Sequence, residues 1–135
     1  MNKEEQEKVV KTLDSCVEKA KEIIKDPEEV KKVLAKTQTK IDNSPALIEE
    51  GGDKLASMLN LVKSCLIGEY TDASEDSLAN IVGAFIYVTE EFDTVPDLIP
   101  VVGYEDDIKV LSCAAERASA DLEAYDKWTE GKITV

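Results

Sequence analysis

Val95-Pro96 and Ile99-Pro100 stand four residues apart between two long runs of helically spaced apolar residues. Each proline pushes the residue before it out of helical geometry. The chain must therefore turn between Asp93 and Gly103, and the flanking runs become separate helices. Pro96-Asp97-Leu98-Ile99 has room for one tight turn before Pro100 stops it. Gly103 is expected to supply a positive φ ahead of the last helix. Before this elbow, Leu78, Ile81, Val82, Phe85, Ile86, Thr89 and Phe92 share one face of a helix starting near Glu75. After it, Ile108, Leu111, Ala115, Ala118, Leu122 and Tyr125 step in a 3-4-3-4-3 pattern toward Gly131, a spacing suited to near-antiparallel packing.

The rest of the chain reads the same way. Val9, Leu13, Cys16, Val17, Ala20 and Ile24 predict an amphipathic helix over about 3–25. Asp26-Pro27-Glu28-Glu29 is a helix start: a capping carboxylate, a proline suited to the first turn, and two acids at the positive end of the dipole. Val30, Val33, Leu34, Thr37 and Ile41 carry that second helix to about Asn43. Pro45 and Gly51-Gly52 then break the chain, and Leu47 and Ile48 between them form a short apolar plug. A third helix, capped by Asp53, shows Leu55, Met58, Leu59, Val62 and Leu66, and ends at Gly68. Gly83, inside the fourth helix, predicts a close helix crossing, since glycine there costs about 1 kcal/mol against alanine. No stretch alternates as a strand does. The expectation is an all-α fold: a single domain, 1–135, of about five helices, the last two long ones joined by a Pro/Asp/Gly-rich elbow.

Charge narrows what such a domain does. The net charge is −13, so a phosphate backbone or an anionic bilayer is repelled. Residues 1–63 are nearly balanced, with 12 lysines and 13 acids; residues 64–108 hold 11 acids and no basic residue. There is no histidine, which removes the commonest general base, the Ser-His and Cys-His dyads and most zinc sites. Arg117 is the one arginine, too few for a phosphate clamp. Cys16, Cys65 and Cys113 follow no ligand or disulfide spacing and read as buried small hydrophobes in a reducing compartment. MNKEEQEKVV has no apolar run like a signal peptide, and the longest apolar stretch, Ile81–Val88, is far short of the roughly 20 residues that span a bilayer. The expectation is a soluble, cytoplasmic protein.

The elbow carries the candidate site. Asp97 follows Pro96 in a capping-box-like Thr94-Val95-Pro96-Asp97. Asp106 and Asp107 open a helix, where the dipole favours them, and Asp93 suits an Asx turn. Glu90 and Glu91 break the local rule: they stand at the negative end of the fourth helix with no lysine near in sequence. Lysines of the first two helices, or a divalent cation, would neutralise them. A cation held by Asp93, Asp97, Asp106 and Asp107 with Glu90 or Glu91 would have oxygen ligands only, which favours Mg²⁺, Ca²⁺ or Mn²⁺. The spacing is not that of an EF-hand. Tyr125 and Trp128 are expected to close the core's edge.

The ordered set Asp93, Pro96, Asp97, Pro100, Gly103, Asp106 and Asp107 resembles the YkvA-like family, domain-of-unknown-function family 1232, over about residues 75–115. Glu90-Glu91 stands where that family often has Ser-Pro, and Glu105 where it often has an apolar residue. The resemblance implies a helical hairpin module without an established activity, some of whose members look membrane-associated. Residues 1–70 carry no such resemblance. Together these readings favour a non-enzymatic module that meets a protein partner or its own copies. An oxygen-ligand metal site, structural or hydrolytic, is the first alternative; peripheral membrane contact through Leu98–Val102 is the second. Nucleic acid is excluded as a partner on charge.

Overall fold

Six helices enclose one apolar core in the computed structural model, which describes residues 3–43, 45–94 and 105–133, without the side chains of 5, 45–48, 50, 51, 53, 90–94, 105–107, 132 and 133. They are α1 (Lys3–Ile23), α2 (Pro27–Asp42), α3 (Pro45–Leu66), α4 (Glu75–Thr94), α5 (Glu105–Arg117) and α6 (Ser119–Ile133). No strand occurs among the described residues.

The helix boundaries follow from local chemistry. Asp26 adopts extended backbone (φ −119°, ψ 104°) and accepts the Glu28 N–H at 3.1 Å, capping α2 with Pro27 in its first turn. Backbone geometry inside α3 leaves the helix at Gly52 (φ 51°, ψ −140°), so the segment from Pro45 is a helical turn ahead of a break. At the other end of α3, the Gly68 N–H donates to the Cys65 carbonyl at 3.2 Å and the Glu69 N–H to the Ser64 carbonyl at 3.0 Å. This is a Schellman ending, and Gly68 holds the left-handed φ of 82° that it requires. Ser74 caps α4 by accepting the Ser77 N–H at 3.1 Å.

Helix α4 is the centre. Every residue from Ile81 to Val88 is buried, so the helix is walled in on all faces, and α1, α2 and α5 all pack against it. The one-sided face read from the sequence was too narrow: Ala84, Tyr87 and Val88 are inside as well. Gly83 makes the expected close crossing. A Cβ there would lie 3.0 Å from the Val17 nitrogen and 3.2 Å from the Cys16 carbonyl carbon.

The expected final helix is two. α5 and α6 meet at Ala118, where the Ala118 N–H still donates to Ala114 (3.0 Å) and the Leu122 N–H to Ala118 (2.9 Å). The apolar 3-4 pattern runs unbroken through this point, so it gave no warning. Long-range contacts redirect α6. Its Asp121 accepts from the Ser74 hydroxyl at 2.9 Å, and its Tyr125 hydroxyl lies 2.7 Å from the Ser64 hydroxyl and donates to the Asn60 carbonyl at 3.1 Å. α6 also passes Gly131 and continues to Ile133; a glycine near a helix end lowers helix propensity without forcing a stop.

Candidate functional site: the acidic end of the central hairpin

Arg117, the last residue of α5, hydrogen-bonds Asn80 near the start of α4 at 3.0 Å. The two helices therefore run antiparallel, and α5 begins beside the end of α4. Glu90, Glu91 and Asp93 occupy the closing turns of α4, and Asp106 and Asp107 the opening turn of α5. The backbone brings these five positions to one end of the hairpin. Asp97, with the Pro96, Pro100 and Gly103 of the expected elbow and its Leu98–Val102 tip, lies outside the described residues.

The acidic third of the chain is divided in space. Glu69, Asp72, Glu75 and Asp76 are exposed at the opposite, N-terminal end of α4. From Asp76 to Glu90 the helix rises about 21 Å. Glu75 and Asp76 lie where the helix dipole favours carboxylates; Glu90, Glu91 and Asp93 lie where it opposes them.

Lysines do approach the unfavourable end. α2 runs alongside α4 in the same direction: Pro27 and Val30 border one cavity with Leu78 and Val82, and Lys36, Thr39, Lys40 and Asn43 share a groove with Thr89. Thr89 directly precedes Glu90. The sequence offered no basic neighbour because Lys36 and Lys40 are about fifty residues away along the chain. Two cations thus stand on the helix that runs beside the end of α4 where Glu90 and Glu91 lie.

Elsewhere the ionisable groups have structural roles. Asp121 is held below the usual carboxylate range by hydrogen bonds from the Ser77 hydroxyl and from the hydroxyl and amide of Ser74. Burial pushes the Cys65 and Cys113 thiols up, opposite to what a nucleophilic cysteine needs. None of the three cysteines forms a disulfide. Tyr125 and Trp128 stack at 5.7 Å, and the Tyr70 ring meets both, at 5.1 and 5.2 Å. This aromatic triplet closes the core's edge as expected, with Tyr70 an unforeseen member. Among the described residues no three His, Cys, Asp or Glu side chains come together as metal ligands; the side chains of Glu90, Glu91, Asp93, Asp97, Asp106 and Asp107 lie outside the described residues.

A buried apolar helix and the antiparallel helix that follows it define a small all-α hairpin module. Residues 77–113, the body of that hairpin, match the model of the family described as protein of unknown function (DUF1232), so the hairpin is of the YkvA-like kind that its Asp, Pro and Gly residues resembled. The chain is also similar to the "Uncharacterized membrane protein YkvA" of Bacillus subtilis (strain 168): 24% identical over 74 residues, 55% of this chain and 70% of the relative. No solved structure matches. No helix among the described residues is long and apolar enough to cross a membrane.

Proposed function

We propose that the chain is a non-enzymatic interaction module whose acidic hairpin end meets a basic protein surface. The observation that carries this is the convergence of Glu90, Glu91, Asp93, Asp106 and Asp107 on one end of an antiparallel hairpin, within a stretch of 45 residues (64–108) that has no Lys or Arg. Charge concentrated in this way steers a partner and sets register more than it adds raw affinity. The absence of histidine and the raised thiols fit a binding role better than acid–base or nucleophilic chemistry. The reading places the protein in a reducing, cytoplasmic setting, in keeping with cysteines that form no disulfide.

The test compares the wild type with a variant neutralised at Glu90→Gln, Glu91→Gln, Asp93→Asn, Asp106→Asn and Asp107→Asn, by pull-down and sedimentation velocity across a salt series. Association that weakens as ionic strength rises and disappears in the variant is the expected result. A monomer with no salt-sensitive partner sinks the reading.

Peripheral membrane association is a second reading, favoured by the similarity to a Bacillus subtilis protein that is named as a membrane protein. Co-sedimentation with neutral and with anionic vesicles decides it, and the absence of binding to both removes it.

A further inference from the structure

A shallow groove runs along the second half of α2 and ends against α4. Ala35, Lys36, Thr39 and Lys40 of α2, the Asn43 that caps it, and Thr89 of α4 line it. Ala35, Thr39 and Asn43 recur every four residues and are short and exposed, so they give the groove a low floor that another chain can approach closely. Both threonine hydroxyls are spent on their own helices: Thr39 donates to the Ala35 carbonyl at 3.0 Å and Thr89 to the Phe85 carbonyl at 2.8 Å. Lys32, Lys36 and Lys40 recur at the same step beside this floor and make its rim basic. In a chain of net charge −13, residues 30–43 hold four lysines and one acid, Asp42. Asp42 accepts from Gln38 at 3.0 Å, in a different row of the helix from the three lysines. Lys32 pairs with Glu29 at 3.3 Å, but both side chains are exposed, so the pair exchanges for another anion at little cost.

We propose that this groove is the docking surface for a second copy of the chain, whose acidic hairpin end lies along the lysine rim. The inference rests on the reading that the acidic end meets a basic protein surface, and it names that surface. Charge complementarity selects the occupant: the rim is a row of cations, and the chain's own anions converge at the end of the α4–α5 hairpin. Position selects the symmetry. Thr89, which closes the groove, directly precedes Glu90, so the basic rim and the acidic end adjoin on one molecule. A surface with positive beside negative is its own complement after a half-turn. One two-fold axis therefore seats each acidic end in the other copy's groove and closes the assembly at two. The net charge of each copy opposes association, but that repulsion is screened beyond about 8 Å at physiological ionic strength, whereas pairs desolvated at the contact are screened much less.

Exchange of charge tests this. Sedimentation velocity at physiological ionic strength compares the wild type, a groove variant (Lys32→Glu, Lys36→Glu, Lys40→Glu) and an acidic-end variant (Glu90→Lys, Glu91→Lys, Asp106→Lys), with circular dichroism to establish that each is folded. The wild type should dimerise reversibly. Each variant alone should self-associate at least about tenfold more weakly, since reversal sets like charges against each other at both contacts. An equimolar mixture of the two variants should regain a dimer that holds one of each. Should a reversed variant not fold, Lys36→Gln with Lys40→Gln, or Glu90→Gln with Glu91→Gln, takes its place and should weaken the dimer in the same direction. A wild type that stays monomeric yet keeps a salt-sensitive protein partner overturns the second copy as occupant and leaves the reading of the acidic end standing. A monomer without such a partner overturns both. A dimer undiminished in either folded variant, or reversed variants that do not combine, overturns the proposal as well.

Discussion

The Arg117 guanidinium donates to the Asp14 carboxylate at 2.8 Å, tying the end of α5 to α1 across 103 residues of sequence. The same Nη1 reaches the Asn80 side-chain oxygen on α4 at 3.0 Å. Asn80 is turned to receive it because its own amide donates to the Asp76 carbonyl at 2.8 Å. One side chain thus joins three helices at their common surface.

Arg117→Ala should lower stability by about 1 kcal/mol. The Asp14 side chain is 59% exposed, and exposed ion pairs contribute no more than about that amount. Chemical denaturation of the single and double variants with Asp14→Asn measures the coupling. A coupling above 3 kcal/mol would mean that the pair is far less solvated than its exposure indicates.

Gly83→Ala should destabilise by about 1–3 kcal/mol, the range for overpacking a core. On an exposed helix the same change would stabilise by up to about 1 kcal/mol. The sign reverses because the added methyl meets the backbone of Val17, which has no flexible end to move aside. Urea denaturation gives the sign directly.

Tyr125→Phe should cost about 1–3 kcal/mol by removing the partner of the buried Ser64 hydroxyl. Because the Tyr125 hydroxyl donates to Asn60, its bond with Ser64 has Ser64 as donor. The double variant with Ser64→Ala should recover much of the loss, since no unsatisfied hydroxyl then remains. Thermal melts of the three variants check this.

Asp121→Asn tests the clamp on the α4 cap. The Asp121 carboxyl titrates below its ordinary value in the folded protein, so it binds fewer protons folded than unfolded. Its contribution is complete above the unfolded pKa and is lost as pH falls through the folded one. The variant should therefore be less stable than the wild type at neutral pH, by about 0.5–1 kcal/mol after allowing for solvent screening. The two stability curves should converge as the solution is acidified below the normal carboxylate range. Parallel curves would assign the effect to shape alone.

Divalent cations separate the interaction reading from an oxygen-ligand metal site. The interaction reading expects millimolar Ca²⁺, Mg²⁺ and Mn²⁺ to move the melting temperature no further than sodium chloride of equal ionic strength. A saturable rise that Asp93→Asn and Asp107→Asn abolish would assign the acidic hairpin end to a cation instead.

Much of this architecture was legible before coordinates. Apolar residues at helical spacing located the helices, Asp26-Pro27 marked a start, and Gly83 announced a crossing because an interior glycine needs a reason. The ordered Asp, Pro and Gly residues from Asp93 to Asp107 pointed to the hairpin family. What stayed hidden depends on partners distant in the chain. The break at Ala118 follows from Asp121 meeting Ser74 and Tyr125 meeting Ser64 and Asn60, 47 to 65 residues away. Arg117 had looked only like a missing phosphate clamp, because neither Asp14 nor Asn80 is near it in sequence. Lys36 and Lys40 likewise come beside the end of α4 only once α2 is laid along it.

A helix sealed on every side from Ile81 to Val88 cannot shift without emptying the interior around it. The central rod therefore sets a fixed spacing of about 21 Å between the acidic positions at its two ends.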